Sequence, residues 1–192
     1  MPAPLHPDDL DAAAHLLAAA FHDDPTYRHL APAAQRPAVL HTFWHHLTRH
    51  TRTLALYDDG LTAVALLQPT APPPWTAYLG RLTLPLRMGL RSHRILAALD
   101  RQLLPLTTHH ALPDDVRWLT AIAVHPDHQR RGRGSELLAH CLTSDAPWAL
   151  LTSQPRNVAW YARFGFAPVA EHPLHEGPIA RLLLRPAQSP SR

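Results

Sequence analysis

Val124-His125-Pro126-Asp127-His128-Gln129-Arg130-Arg131-Gly132-Arg133-Gly134-Ser135 is the stretch whose reading decides the fold. The apolar run Trp118 to Val124 leads into it and predicts a strand within 116–124. The run Glu136 to Leu142 follows and predicts a helix. A strand therefore ends, a short loop turns, and a segment rich in glycine and arginine opens a helix. A helix start carries unpaired backbone N–H groups and the positive end of the macrodipole. Gly132 and Gly134 let the backbone approach a ligand closely. Arg130, Arg131 and Arg133 are cations at a helix N-terminus, where they oppose the dipole. A bound anion removes that conflict, so the segment reads as a cradle for a diphosphate. The alternative is a tight turn with a solvated charge run. The spacing is not Gly-x-Gly-x-x-Gly, and no Gly-Lys-Ser/Thr follows, so neither a dinucleotide fingerprint nor a P-loop fits.

A second block lies downstream: Leu150-Leu-Thr-Ser-Gln-Pro-Arg-Asn157-Val-Ala-Trp-Tyr161-Ala-Arg-Phe-Gly165-Phe166. Gly165-Phe166 reads as a helix stop followed by an apolar strand start. Tyr161 alone could be a packing residue on an amphipathic helix. Gln129, Gly132 and Gly134, followed by Asn157, Tyr161 and Gly165-Phe166, match in type, order and distance the two motifs of the GNAT acyltransferase superfamily, which the chain resembles. The likeness is sharpest from Trp118 onward. Within the superfamily it is nearest to puromycin N-acetyltransferase-like proteins, on Leu17 to Pro25, Pro126 to Gln129, Thr152 to Asn157 and Glu176 to Pro178.

The resemblance implies an α/β (α+β) fold. Its central sheet is mixed, mostly antiparallel, flanked by helices, and splayed at the strand before the loop. It also implies an acetyl-CoA-dependent N-acyltransferase, acting by direct attack of a small-molecule primary amine through a tetrahedral intermediate. The cofactor-binding residues it implies are the backbone of Ile122, Ala123 and Val124 for the pantetheine arm, Gln129 to Ser135 for the diphosphate, and Asn157 for the pantetheine. The catalytic pair is the Val124 N–H, polarising the thioester carbonyl, and Tyr161, protonating the departing thiolate. A phenol of pKa about 10 suits a thiol of pKa about 8.5. The expected acceptor site lies between the first two helices, the loop after them and strands 116–124 and 148–153, with Phe21, Asp24, Tyr27 and Trp118 as its residues. Asp24 could pair with a cationic substrate or simply end a helix in Asp-Asp-Pro. One departure stands out. Puromycin-type relatives carry Leu-Glu-Thr-Ser before the Asn, and this chain has Leu150-Leu151-Thr152-Ser153. A base must come from elsewhere, from water or from a histidine such as His109 or His110.

The remaining pattern agrees. Residues 8 to 21 and Arg36 to Thr51 predict two helices, and Pro37 falls where a first turn tolerates it. Thr53 to Tyr57, Asp58-Asp59-Gly60 and Leu61 to Gln68 predict a hairpin. A proline-rich loop spans 69–75 and a helix spans 80–104, interrupted near Pro85. Strands are expected from Trp148 to Ser153, from Phe166 to Val169 and over 179–185, with a disordered tail over 186–192. The chain, 1–192, reads as one domain.

All 18 basic residues are arginine, and the formal charge of +3 is too small to make nucleic acid the main partner. Cys141 is the single cysteine, so no internal disulfide forms, which fits a reducing compartment. No signal-peptide pattern and no apolar run of about 18 residues occur, so a cytoplasmic protein with no membrane contact is expected. The 16 histidines are scattered, and no metal is expected. The expected partners are acetyl-CoA and a small-molecule amine; a homodimer is left open. Three other readings compete: a protein or peptide acetyltransferase, a non-catalytic acyl-CoA-binding or regulatory module, and an arginine-based nucleic-acid binder.

Overall fold

The computed structural model of the protein describes residues 1–57, 60–68, 88–108, 112–175 and 177–188. The hairpin turn at Asp58-Asp59, the proline loop, the break near Pro85, His109, His110 and Glu176 lie outside the described residues.

Seven strands form one sheet in the order β1-β2-β3-β4-β5-β7-β6. They are β1 (Ala3–Pro4), β2 (Arg52–Tyr57), β3 (Leu61–Gln68), β4 (Arg117–Val124), β5 (Trp148–Thr152), β6 (Ala167–Pro173) and β7 (Ile179–Arg185). Every pairing is antiparallel except β4 with β5. Among the described residues, five helices flank the sheet: α1 (Leu10–Ala20), α2 (Arg36–Thr48), α3 (Leu90–Thr108), α4 (Arg133–Cys141) and α5 (Pro155–Ala162). The mixed, mostly antiparallel sheet expected from the sequence is the sheet observed.

Alternation along the strands decides which helices cover which face. On β3, Val64 and Leu66 join the cluster of α1, α2 and α3, with Leu17, Trp44 and Leu96. Ala63, Ala65 and Leu67 join the opposite cluster, with Leu137 and Leu138 of α4 and Tyr161 of α5. The strand is covered on both faces, which is why it is apolar almost throughout.

Several boundaries differ from the sequence pattern. Residues Pro7–Asp9 form a 3-10 turn, capped by the His6 side chain accepting from the Asp8 N–H, so α1 begins at Leu10. The helix expected over 80–104 is described from Leu90 and continues through Pro105 to Thr108. A proline removes one backbone donor, and burial of Leu96, Leu99 and Leu106 holds the helix together around it. Helix α4 starts at Arg133, three residues earlier than expected, because Gly132 at φ 79° supplies the left-handed turn into it. The strand expected to end at Val169 runs to Pro173 across a bulge at Pro168/Ala170. Of the tail expected over 186–192, residues 189–192 lie outside the described residues, and the Gln188 N–H donates to the Asp145 carbonyl at 3.0 Å.

The feature that positions the site is a failure of pairing. β4 and β5 pair only at Arg117↔Trp148 and Trp118↔Ala149. β4 then runs on to Val124 without that neighbour, and the expected splay is present.

Candidate active site

The splay leaves specific backbone groups open. Ala63 and Val124 are opposite one another, and the His125 N–H donates to the Thr62 carbonyl at 2.8 Å. That bond marks Ala63↔Val124 as a non-hydrogen-bonded pair of an antiparallel ladder. The N–H and C=O of Val124 therefore point away from β3, into the gap that β5 has left. Two residues earlier, Ile122 opposite Ala65 has the same orientation. Ala123 has the reverse: its N–H and C=O are turned to Val64 in the ladder. Of the three residues expected to offer backbone groups, Ile122 and Val124 can do so and Ala123 cannot. The Gln129 side chain donates to the Val124 carbonyl at 3.3 Å, which leaves the Val124 N–H as the free donor.

The loop after β4 is shaped by two left-handed residues, Arg130 at φ 62° and Gly132 at φ 79°. A non-glycine residue there is uncommon. The Glu136 N–H already bonds to the Gly132 carbonyl at 2.9 Å, so the unpaired N–H groups are those at the very start of α4. Gly134 is closely packed: a Cβ there would stand 3.3 Å from Val124 Cγ2 and 3.6 Å from the Trp160 ring. The sequence reading gave this glycine to ligand approach; it lines the groove and also packs against these side chains.

This loop and α5 face each other across a groove of about 670 Å³. Arg130 and Arg133 line it from the loop, Arg156 and Arg163 from α5. Arg133 also bonds Glu136 at 3.1 Å. Gln129, Gly132, Gly134, Ser135, Asn157 and Tyr161 line it too, and the Trp160 indole N–H donates to Ser135 Oγ at 3.4 Å. Arg131, expected to help hold the diphosphate, is exposed and is not among the residues lining the groove. Arg156, Trp160 and Arg163 were missed. Their 4- and 3-residue spacing puts them on one face of α5, a signal legible only once that helix had an assigned partner.

A second, smaller cavity of about 120 Å³ lies beyond the end of the groove. Phe21, Asp24, Tyr27 and Trp118, the four expected acceptor residues, all line it. Leu103 of α3, and Leu174 and Ala180 from the β6–β7 end, complete it; none was anticipated, and no residue of α2 contributes. Leu151 and Thr152 of β5 form another wall. Thr120 is the extra residue in a bulge between Leu119 and Ala121, and its Oγ1 is buried without a partner. Thr26 and Ser153 hydroxyls hydrogen-bond each other and tie the segment after α1 to the end of β5.

Groove and cavity meet at Phe21, Asp24, Ile122, Asn157 and Tyr161, which line both. Asp24 Oδ1 accepts from the Thr26 N–H at 2.8 Å, which fixes the carboxylate in a turn. Asn157 Nδ2 donates to Thr152 Oγ1 at 3.4 Å. The Tyr161 ring packs edge-on against Trp160 and Phe166, with centroids at 4.7 and 5.7 Å. Burial holds the Tyr161 phenol well above its ordinary pKa, so it stays protonated. Tyr27 is raised in the same way, first by burial and then by the charge of Asp24.

Cys141 packs in the α4 core, and burial pushes its thiol up to about 12, the state of an unreactive structural cysteine. Asp11, His15 and His41 gather on the α1–α2 surface with potential ligand atoms all within 4.8 Å of one another; none of the three lines the groove or the cavity. Among the described residues, no helix is long and apolar enough to cross a membrane.

Comparison with known proteins agrees with this architecture. Residues 94–168, from within α3 to β6, match the family model described as an acetyltransferase (GNAT) domain. Among solved structures, the chain is similar to the histone acetyltransferase HPA2 and related acetyltransferase of Corynebacterium glutamicum: TM-score 0.70, 18% identity, covering 100% of this chain and 98% of that one. An N-acetyltransferase from Staphylococcus aureus gives TM-score 0.63 at 15% identity, over 96% of this chain and 99% of that one. A mosquito protein described as arylalkylamine N-acetyltransferase-like 5b gives 0.61 at 12%, over 96% and 98%. The chain has the fold of these acetyltransferase structures, and its residues 94–168 are similar to a GNAT acetyltransferase domain.

Proposed function

We propose that the protein is an N-acetyltransferase that moves the acetyl group of acetyl-CoA to the primary amine of a small molecule. The observation that carries this reading is the meeting of groove and cavity at Asp24 and Tyr161, beside the splayed end of β4. The groove has what acetyl-CoA needs. Arg130, Arg133, Arg156 and Arg163 offer positive charge to phosphates, the start of α4 offers N–H groups, and Ile122 and Val124 offer backbone partners to an amide-bearing arm.

Each residue then has a task. Asp24 receives the ammonium and takes one proton from it, which frees the nitrogen lone pair. The nitrogen bonds to the thioester carbonyl carbon while the Val124 N–H donates to the developing oxyanion. When the C–S bond breaks, Tyr161 gives its proton to the sulfur. The new amide nitrogen sheds its extra proton, which restores the phenol. Burial raises the pKa of Tyr161, and the same dry surroundings raise that of a thiol, so acid and leaving group stay matched. No enzyme nucleophile is required, in keeping with the protonated Cys141.

Acetylation of a protein amine is the second reading, favoured by the histone acetyltransferase description of one structural neighbour. The small, walled cavity argues for the first. A reducing, cytoplasmic setting suits the lone buried thiol. The test is thiol release from acetyl-CoA with small amines and with peptides. Turnover of small amines supports the reading. Turnover of peptides alone transfers the assignment to a protein acceptor, and tight acetyl-CoA binding with no turnover supports a non-catalytic module.

A further inference from the structure

Asp24 sits at one end of the cavity only. Among the described residues lining it, Asp24 is the single carboxylate, and no arginine or histidine is present. The walls that do not border the groove carry Leu103, Trp118, Leu151 and Leu174, and their polar groups are uncharged hydroxyls such as those of Thr120 and Ser153. Space is limited: about 120 Å³, where an apolar cavity of about 150 Å³ holds one benzene ring.

From this asymmetry we infer the class of acceptor: a compact monoamine, with one ammonium on a ring-sized or short-chain apolar body and no second charge. The inference rests on the N-acetyltransferase reading of this site. The ammonium pairs with Asp24 where groove and cavity meet. The body fills the space against Leu103, Trp118, Leu151 and Leu174. A second ammonium, as in a diamine or polyamine, would lie among these apolar side chains and neutral hydroxyls with no counter-charge among the described residues, and an unpaired buried charge is strongly disfavoured. An α-amino acid would bring a carboxylate next to Asp24, with no cation among the described residues of the cavity wall to receive it. An aminoglycoside has several rings and exceeds the volume. Leu151 is the specificity-determining residue: it faces the cavity where an acidic side chain would have offered a second cation its partner.

The test uses the full chain and amine pairs that differ in one feature. Hexylamine and 1,6-diaminohexane have equal length and differ by the far-end ammonium; 2-phenylethylamine and phenylalanine differ by a carboxylate. Kanamycin and an N-terminal peptide test size. The expected result is a kcat/KM for hexylamine and 2-phenylethylamine at least about 100-fold above that of their charged partners, a factor that an unpaired buried charge readily accounts for. Leu151→Glu should raise 1,6-diaminohexane relative to hexylamine by at least about 10-fold, the scale of one recovered charge pair. Equal or better turnover of the diamine, of phenylalanine or of kanamycin by the native protein overturns the acceptor class and leaves the acetyltransferase reading standing. Turnover of no amine, with acetyl-CoA bound by calorimetry, overturns both. The native comparison needs no variant, so poor folding of Leu151→Glu does not disarm it.

Discussion

The groove and the cavity lie side by side, share five residues, and are built in different ways. The groove comes mainly from two short stretches, the end of β4 through the start of α4, and α5. Its chemistry is largely backbone: free N–H groups at Ile122, Val124 and the first turn of α4. The cavity takes single side chains from the segment after α1, from α3, β4, β5 and the β6–β7 end. Its chemistry is side-chain shape around one carboxylate. The difference teaches where each half of the reaction is vulnerable. A backbone cradle fails when something is inserted into it; a side-chain cavity changes its preference when one wall is altered.

The largest effect that would test this division is at Gly134. A glutamate there meets Val124 Cγ2 and the Trp160 ring and brings negative charge to an arginine-lined groove. Gly134→Glu should weaken acetyl-CoA binding by more than about 100-fold, the size expected for overpacking combined with charge repulsion. Calorimetric titration reads it, and unaltered affinity would mean the groove holds something else.

Asp24→Asn should leave acetyl-CoA affinity within about twofold and lower kcat/KM for the amine by about 10²-fold or more, the usual scale of a lost general base. The pH profile provides a second readout: if Asp24 takes the proton, the variant should recover activity as rising pH delivers the amine already neutral. A flat ratio of native to variant activity across pH would reduce Asp24 to its turn bond with Thr26.

Tyr161→Phe keeps the ring packing and removes only the hydroxyl. It should lower kcat by about 10-fold to 100-fold, at or below the usual range for one acid–base group. Acetyl-CoA affinity should hold. Because burial raises the phenol above its ordinary value, the native enzyme should also keep its activity past pH 10, where an exposed tyrosine would ionise. An unchanged turnover number in Tyr161→Phe would strike the residue from the mechanism.

The smallest effect lies outside both spaces. Cys141 is raised from 9.0 to about 12, so between those values the unfolded chain loses a proton that the folded chain keeps. Its contribution to stability is complete below pH 9 and is lost as pH rises toward 12. Cys141→Ala should flatten that alkaline slope in denaturant titrations and leave kinetics alone. A kinetic change would tie α4 packing to the cradle more closely than the geometry indicates.

The sequence by itself determined the groove. Gly132 is demanded by local geometry, a left-handed φ, and local geometry is written in adjacent residues; the crowding at Gly134 comes from the side chains of Val124 and Trp160. Strand period and helix period likewise located β3, β4, β5 and α2 to within a few residues. The sequence could not say that Ala123 spends its backbone on β3 while Ile122 and Val124 do not. That alternation depends on the ladder register between β3 and β4. Nor could it say that Arg156 and Arg163 line the groove together with Arg130 and Arg133 of the loop. The cavity was half legible: Phe21, Asp24, Tyr27 and Trp118 could be chosen because they lie near the implied strands and helices. Leu103, Leu174 and Ala180 could not, since in sequence each is an ordinary apolar residue of an ordinary helix or strand. Only the closing of the sheet over α3 makes them neighbours of Leu151, because contacts between distant segments are set by packing of the whole core and by no local signal.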